Sequence, residues 1–325
     1  MARYYGKRSI RDRRAIVPLA LAAVAVVILA SAALTHQKYG DGPLQPPDNA
    51  QLPDDAQISD SPQGDPRSEA ASSSAGGSPD VTAPPAAPPY DFSQPAPESE
   101  AVDNDYFDDA AFVGDSRTDG FMLYSGIGTG KNLTSNGLSI FKLSEKKVLT
   151  IGGEKYTLLE ALAMEEYGKV YLSLGVNELG TYKDKSYYDS YCEAIDQIRL
   201  VQPNAVIYIQ GLIPLNEDQI VAHNGNKYNL TNEHLRVYND LMRRAAEEKQ
   251  VVYLDLYSEF VDENGALPED ASRDGVHLKK EPCQQWLAYL KSHTVDFDAL
   301  YPDGPPVAEP PGPEGLVTIE GSERG

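Results

Sequence analysis

Apolar residues in this chain fall into four short runs, separated by longer stretches with helical spacing. The runs are Ala111 to Val113, Lys169 to Leu174, Ala205 to Gln210 and Val251 to Leu256. Each is nearly continuous in Val, Ile, Leu, Phe, Tyr or Ala, the composition of a strand covered on both faces rather than wetted on one. Between and after them, apolar positions recur every three to four residues over Leu158 to Tyr167, Ser186 to Val201, Thr231 to Lys249 and Lys279 to Ser292. That spacing predicts amphipathic helices, and Thr231 is a suitable N-cap for the third. Lys147 to Thr157 breaks the alternation, because Val148 to Ile151, Gly152-Gly153 and Lys155 to Thr157 read as a small hairpin. Strands alternating with helices imply an α/β domain with a central parallel sheet and helices on both faces. In such sheets ligands bind beyond the carboxyl ends of the strands.

The flanking sequence follows other patterns. Residues 1–14 are basic, with Arg3, Lys7, Arg8, Arg11, Arg13 and Arg14, and residues 15–34 are uncharged. A run of ~20 apolar residues behind positive charge is expected to cross a membrane with its basic end in the cytoplasm. Ala30-Ser31-Ala32 also fits a signal-peptidase site. The segment is therefore expected to be a signal-anchor or a cleaved signal, and either places the rest of the chain outside the cytoplasm. Residues 35–104 shift to Pro, Ser, Ala, Gly and Asp. Their apolar surface is too small to offset the entropy of ordering, so a disordered linker is expected, spanning ~50 Å as a flexible coil. Residues 299–325, with Pro305-Pro306 and Pro310-Pro311, read as a disordered acidic tail. The folded domain is thus expected over 105–298.

Composition narrows the function. A formal net charge of −21 gives no basic stripe from which a nucleic acid could release counterions, which argues against that partner. The 2 cysteines, Cys192 and Cys283, and the 5 histidines have no metal-ligand spacing, so neither metal nor cofactor is expected. The cysteines could pair outside the cell or remain buried thiols.

Three short motifs carry the candidate chemistry: Gly114-Asp115-Ser116 after the first run, Gly175-Val176-Asn177-Glu178 after the second, and Asp274-Gly275-Val276-His277 before the last helix. A serine hydroxyl needs a base to accept its proton as it attacks a carbonyl, and histidine, with an ordinary pKa of ~6.5, is suited to that task at neutral pH. Of the five histidines, only His277 has an Asp three residues ahead in a glycine-containing loop, where Asp274 can hold one ring nitrogen while the other faces the serine. Asn177 supplies a side-chain donor for an oxyanion. Asp115 reads as a loop brace. Arg117 reads as a contact for an anionic substrate group or as a surface ion pair. The polar stretch Pro214 to Asn229 reads as a loop beside the cleft.

In order and spacing, the three motifs resemble the GDSL/SGNH hydrolases, a family of serine esterases, lipases and carbohydrate O-acyl hydrolases. The likeness covers about Tyr106 to Val295. It implies a flavodoxin-like three-layer α/β/α sandwich. It implies Ser116 as nucleophile, His277 as general base and acid, and Asp274 as its orienting partner. The oxyanion donors would be Ser116, Gly137 and Asn177. The chain departs from the family in having Glu178 where an Asp usually follows the oxyanion Asn; the longer side chain reads as a brace for the loop. Together with the N-terminal segment, the resemblance points to a membrane-tethered extracellular esterase acting on acyl esters, O-acetyl among them, of surface carbohydrate or peptidoglycan. Competing readings are an O-acyltransferase using the same residues and a non-catalytic wall-binding module.

Overall fold

The four apolar runs become neighbouring strands of one sheet, and a short fifth strand joins its edge. The computed structural model describes residues 89–308. In chain order the elements are β1 (Ala110–Gly114), α1 (Ser116–Tyr124), β2 (Lys131–Thr134), β3 (Leu149–Ile151), β4 (Glu154–Tyr156), α2 (Leu158–Leu162), β5 (Lys169–Ser173), α3 (Asp184–Val201) and β6 (Val206–Gln210). They continue with α4 (Glu217–Asn224), α5 (Asn232–Glu248), β7 (Val252–Leu254), α6 (Leu256–Phe260), α7 (Lys280–Lys291) and α8 (Phe297–Leu300). The sheet runs β2-β1-β5-β6-β7 with every pairing parallel, while β3 and β4 form the separate antiparallel hairpin. Counting only its own strands, the sheet has the doubly wound, flavodoxin-like order, whose reversal point lies between β1 and β5.

The period-2 geometry of the strands divides the core in two. Ala111, Val113, Val170, Leu172, Ile207, Ile209 and Tyr253 point to one face, where Tyr187, Tyr191 and Ile195 of α3 and Leu235, Tyr238 and Met242 of α5 cover them. Ala110, Phe112, Tyr171, Val206, Tyr208, Val252 and Leu254 point to the other, under Phe121 of α1 and Trp286 and Leu290 of α7. The result is three layers, α/β/α. On the second face the register aligns Phe112 with Tyr171 and Tyr171 with Tyr208. Their rings stack at 4.9 Å and 4.5 Å between centroids, a cross-strand ladder that accounts for part of the chain's tyrosine content.

Several elements differ from the sequence expectation. Strand β2 escapes a hydrophobicity reading because Leu133 is its one buried residue. The Pro214 to Asn229 loop contains helix α4, capped by the Asn216 side chain, which accepts from Gln219 N. The linker expected to run to 104 ends earlier. Tyr90, Phe92, Ala96 and Val102 pack against the second core face. The N–H groups of Ala96, Ser99 and Val102 donate to the carbonyls of Tyr253 (2.8 Å), Ser292 (2.6 Å) and Lys291 (3.1 Å). At the other end Leu300, Tyr301 and Ala308, inside the expected tail, are buried. These isolated apolar residues lie among Pro, Glu and Asp without period, so composition concealed them. The basic segment 1–14, the apolar run 15–34, the linker up to 88 and the tail from 309 lie outside the described residues. Among the described residues no helix is long and apolar enough to cross a membrane.

This boundary can be tested at Ala96, which is 5% exposed. Ala96→Asp places an unpaired carboxylate against the core and is expected to lower the urea-unfolding free energy by about 2–4 kcal/mol. If residues 90–102 were linker, the change would stay within about 0.5 kcal/mol.

Candidate active site

The site is assembled where β1 and β5 end side by side. Gly114 closes β1 against its neighbour: a Cβ there would lie 2.1 Å from Thr118 Oγ1 and 2.8 Å from the Ser173 carbonyl. Only glycine allows that approach. Asp115 then caps α1, its Oδ1 accepting from Arg117 N at 2.9 Å, and Ser116 is the first residue of the helix. The third motif arrives from the loop before α7. It is seated on α4 at Gly275, whose carbonyl accepts from Asn216 N at 3.0 Å. Gly275 has φ +86°, and a Cβ on it would meet Asn216 O at 2.3 Å.

Ser116, His277 and Asp274 form one hydrogen-bonded line. Ser116 Oγ is 3.0 Å from His277 Nε2, and His277 Nδ1 is 2.7 Å from Asp274 Oδ2. Asp274 Oδ1 accepts from Val276 N at 2.9 Å and His277 N at 2.8 Å. Burial acts to raise the Asp274 carboxyl's pKa, but these bonds and the His277 ring outweigh it and hold the group below the usual carboxylate range. An ionised Asp274 can only accept, so Nδ1 carries the ring proton and Nε2 turns its lone pair to the serine. Ser272 ties the loop together, its hydroxyl accepting from Gly275 N at 2.9 Å and donating to His277 O at 2.8 Å.

Asn177 stands on the β5 side. Its Nδ2 donates to Asp115 Oδ2 at 3.1 Å and to Leu138 O at 3.0 Å, so both amide hydrogens are engaged. The second bond also brings in the Gly137 turn: Gly137 has φ +70°, and Leu138 N closes the turn onto Ser135 O at 3.1 Å. The turn is fixed to β1 by Ser135 N donating to Gly114 O at 3.1 Å. All five residues predicted from sequence therefore lie around one end of the sheet.

Glu178 is fully buried, and its Oε1 accepts from Ile140 N. It braces the Gly137 turn from behind, as its longer side chain suggested. Burial pushes its carboxyl up to about 7, against hydrogen bonds from Ser139 and Ile140 that lower it. Burial likewise raises Asp115 to about 6, despite its bond from Arg117 N and the nearby Arg117 charge. Arg117 corrects the sequence expectation. It is 6% exposed, buried rather than standing on the surface as either expected role would need. Its guanidinium donates to the carbonyls of Ile213 (2.9 Å) and Pro214 (3.3 Å), and burial lowers its pKa to about 10.

Sequence reasoning missed the residues that hold the loops after β5 and β6. Tyr187 and Tyr191 of α3 both donate their hydroxyls to Leu174 O, one residue before Gly175. Tyr238 donates to Glu178 O at 3.1 Å. Asn239 and Asn232 clamp Leu212 and Leu215 at both backbone atoms. His234, on α5, meets Leu179 O at 2.5 Å and Asp184 Oδ1 at 2.8 Å. The signal for this set was polar residues on the buried stripes of α3 and α5. Cys192 and Cys283 are both buried free thiols and do not pair.

The sequence profile of the GDSL-like lipase/acylhydrolase family matches residues 112–281, more than half of the chain and all three motifs. The chain belongs to this family. It is an ester-hydrolysing enzyme of the GDSL-like type, with the parallel α/β sheet of SGNH hydrolases. No curated protein sequence matches it. Among solved structures it is similar to a candidate platelet activating factor from Streptococcus pneumonia, at 22% identity and TM-score 0.47, covering 62% of this chain and 86% of that one. It is also similar to a GDSL-like lipase from Bacteroides thetaiotaomicron, at 14% identity and TM-score 0.43, covering 57% and 87%. A third is a peptidoglycan O-acetylesterase, at 18% identity and TM-score 0.38, covering 50% and 45%. These likenesses are of fold.

The raised pKa of Glu178 predicts a pH-dependent cost in this GDSL-like domain. A carboxyl whose folded value is about 7 and whose ordinary value is 4.5 keeps in the folded state a proton that the unfolded chain has released. Its contribution to stability therefore falls as pH rises from about 4.5 through 7. Glu178→Gln keeps an acceptor for Ile140 N and removes that dependence. In urea unfolding it should match the parent near pH 4 and exceed it by on the order of 2–3 kcal/mol at pH 8.

Proposed function

We propose that Ser116 is the nucleophile of a serine esterase, with His277 as base and acid and Asp274 as its orienting partner. The observation that carries this reading is the unbroken line Ser116 Oγ to His277 Nε2 to Asp274, at 3.0 Å and 2.7 Å. His277 Nε2 takes the hydroxyl proton as Ser116 Oγ attacks the ester carbonyl, and the imidazolium is balanced by ionised Asp274. The same proton passes to the leaving alcohol. Water activated by His277 then releases the acid from the acyl-enzyme.

Negative charge on the carbonyl oxygen is met by the N–H groups of Ser116 and Gly137 and by Asn177 Nδ2. Asn177 keeps its bond to the Asp115 carboxylate, while its bond to the neutral Leu138 carbonyl is the weaker one and yields to an oxyanion. The His277 side chain is half exposed, so bulk water reaches it as an acceptor for the acyl group.

Small acyl groups on surface carbohydrate are the substrates this reading favours. The depression beside the His277 loop is open and polar, lined by Gln219, Glu269, Asp270, Ser272, Arg273 and Lys279. These polar and charged groups suit a carbohydrate beside the His277 loop better than a lipid chain. The basic residues 1–14, the apolar run 15–34 and the long linker support a membrane-tethered domain working outside the cell, in reach of wall polymers.

The first test is hydrolysis of p-nitrophenyl acetate by the full chain, with a serine-directed phosphonate followed by mass mapping. The label is expected on Ser116, and Ser116→Ala and His277→Ala should each lower kcat by a factor on the order of 10³ or more. Asp274→Asn should also be strongly impaired. Turnover by Ser116→Ala equal to the parent's would overturn the assignment. Acetate release from O-acetylated wall glycan, with no cleavage of long-chain lipid esters, is the expected substrate profile.

A further inference from the structure

Tyr182 stands five residues beyond Asn177 in a conformation that a bulky side chain rarely adopts. Its φ is +51° and its ψ +39°, the left-handed region that is an outlier for a residue of this size and persists only where its surroundings enforce it. Three contacts do so. Asn229 Nδ2 donates to Tyr182 OH at 3.0 Å. The ring lies flat on His234, with centroids 4.2 Å apart and planes 8° apart. The preceding turn is pressed against the α4–α5 connection, where a Cβ on Gly180 would lie 2.0 Å from Tyr228 O. His234 is itself fixed at both ring nitrogens and 4% exposed.

Despite this support, Tyr182 is 54% exposed. One ring face is covered by His234, so the exposed surface is the opposite face. A turn of 3-10 geometry leads from Asn177 to Tyr182, and at ~2 Å per residue it separates their backbones by on the order of 10 Å. Tyr228, 37% exposed, lies across the Gly180 contact on the neighbouring connection.

We propose that Tyr182 is a stacking platform for a pyranose ring of the substrate, set beside the ester-cleaving serine. The proposal rests on the carbohydrate reading above and gives it a binding residue. An aromatic face is electron-rich and attracts the polarised C–H groups on the apolar face of a sugar, while the ring hydroxyls find amide and charged groups at the edge. Those groups are present: Asn229 holds the Tyr182 hydroxyl, and Lys183 follows it on the exposed surface, beside Asp184 and Lys185, which pair with His234 and Asp189. A lipid chain would need a continuous apolar groove, and this surround is polar. The strained backbone and the His234 support fix the ring before the sugar arrives, which reduces the ordering cost of binding.

Two measurements on the full chain decide the matter. Binding of N-acetylglucosamine oligomers to Ser116→Ala, followed by calorimetry or NMR titration, should be saturable. It should weaken about tenfold on adding Tyr182→Ala and be largely retained with Tyr182→Phe, which keeps the ring and loses only the hydroxyl. In the active enzyme, Tyr182→Ala should raise KM for an O-acetylated oligosaccharide about tenfold more than for p-nitrophenyl acetate. Absence of saturable oligomer binding, or equal affinity with and without the ring, would overturn the platform. Oligomer binding that depends on Tyr182 in a chain that releases no acetate from glycans would keep the platform and remove the proposed ester. Acetate release that is indifferent to Tyr182→Ala would keep the esterase reading and remove the platform.

Discussion

The parallel pairing of β1 with β5 is the constraint on which the site depends. The two strands lie side by side in register, Gly114 opposite Ser173, yet their chains leave in opposite directions. After β1 the chain enters α1, whose Phe121 packs on the Phe112 and Tyr171 face. After β5 it reaches α3, whose Tyr187 and Tyr191 pack on the Val113 and Leu172 face. A crevice must open between the diverging connections, and Ser116 and Asn177 are the residues at its two lips. The Gly137 turn and the His277 loop are then fastened to that crevice by Gly114 O and by Asn216.

The electrostatics of this arrangement run against its chemistry. The proposed oxyanion site should be surrounded by donors, yet the Asp115 and Glu178 carboxyls are buried within the two loops that would form it. Their role is to hold donors in place. Asp115 grips the Asn177 amide, and Glu178 grips the Ile140 amide behind the Gly137 turn. Burial raises both carboxyls, Glu178 to about 7 and Asp115 to about 6, so near neutral pH the Glu178 charge is reduced while Asp115 stays largely ionised. Arg117, buried beside Asp115, adds a compensating positive charge. Positioning thus dominates over bare charge at this site, at some cost to stability.

Much of this was legible in the sequence because period and motif report backbone geometry directly. The strands at Val113, Leu172, Ile207 and Tyr253 were visible as apolar runs, and glycine with an Asp-Ser or Val-Asn pair marked where two of them end. The Asp274 to His277 spacing fixed a local loop and so could be read without knowing the fold. Side chains that act through long-range contacts left no such trace. Arg117 looked exposed because charge usually is, and its burial depends on the carbonyls of Ile213 and Pro214 arriving from β6. Tyr187, Tyr191 and Tyr238 fitted an amphipathic helix equally well with or without their hydroxyl bonds to the β5 loop. Ala96 and Val102 lay in a segment whose average composition outweighed its few packing residues.

The same distinction bears on Glu178. A change from Asp to Glu next to Asn177, the proposed oxyanion donor, reads as conservative, but one added methylene moves a carboxylate by more than an ångström, and the loop it braces must be built to match. Here the match is made by the 3-10 turn at Ile140–Lys142, whose first N–H points at the carboxylate. Tyr238 simultaneously fixes the Glu178 carbonyl from α5. With backbone and side chain both tied, the residue cannot relax toward solvent, and burial outweighs the hydrogen bonds that lower its carboxyl. The stiffness then extends along the chain: Thr181 is bonded back to Glu178 O at 2.8 Å, and Tyr182 follows in its strained conformation. Holding the Asn177 amide still and holding the Tyr182 ring out are, on this geometry, two ends of one rigid turn.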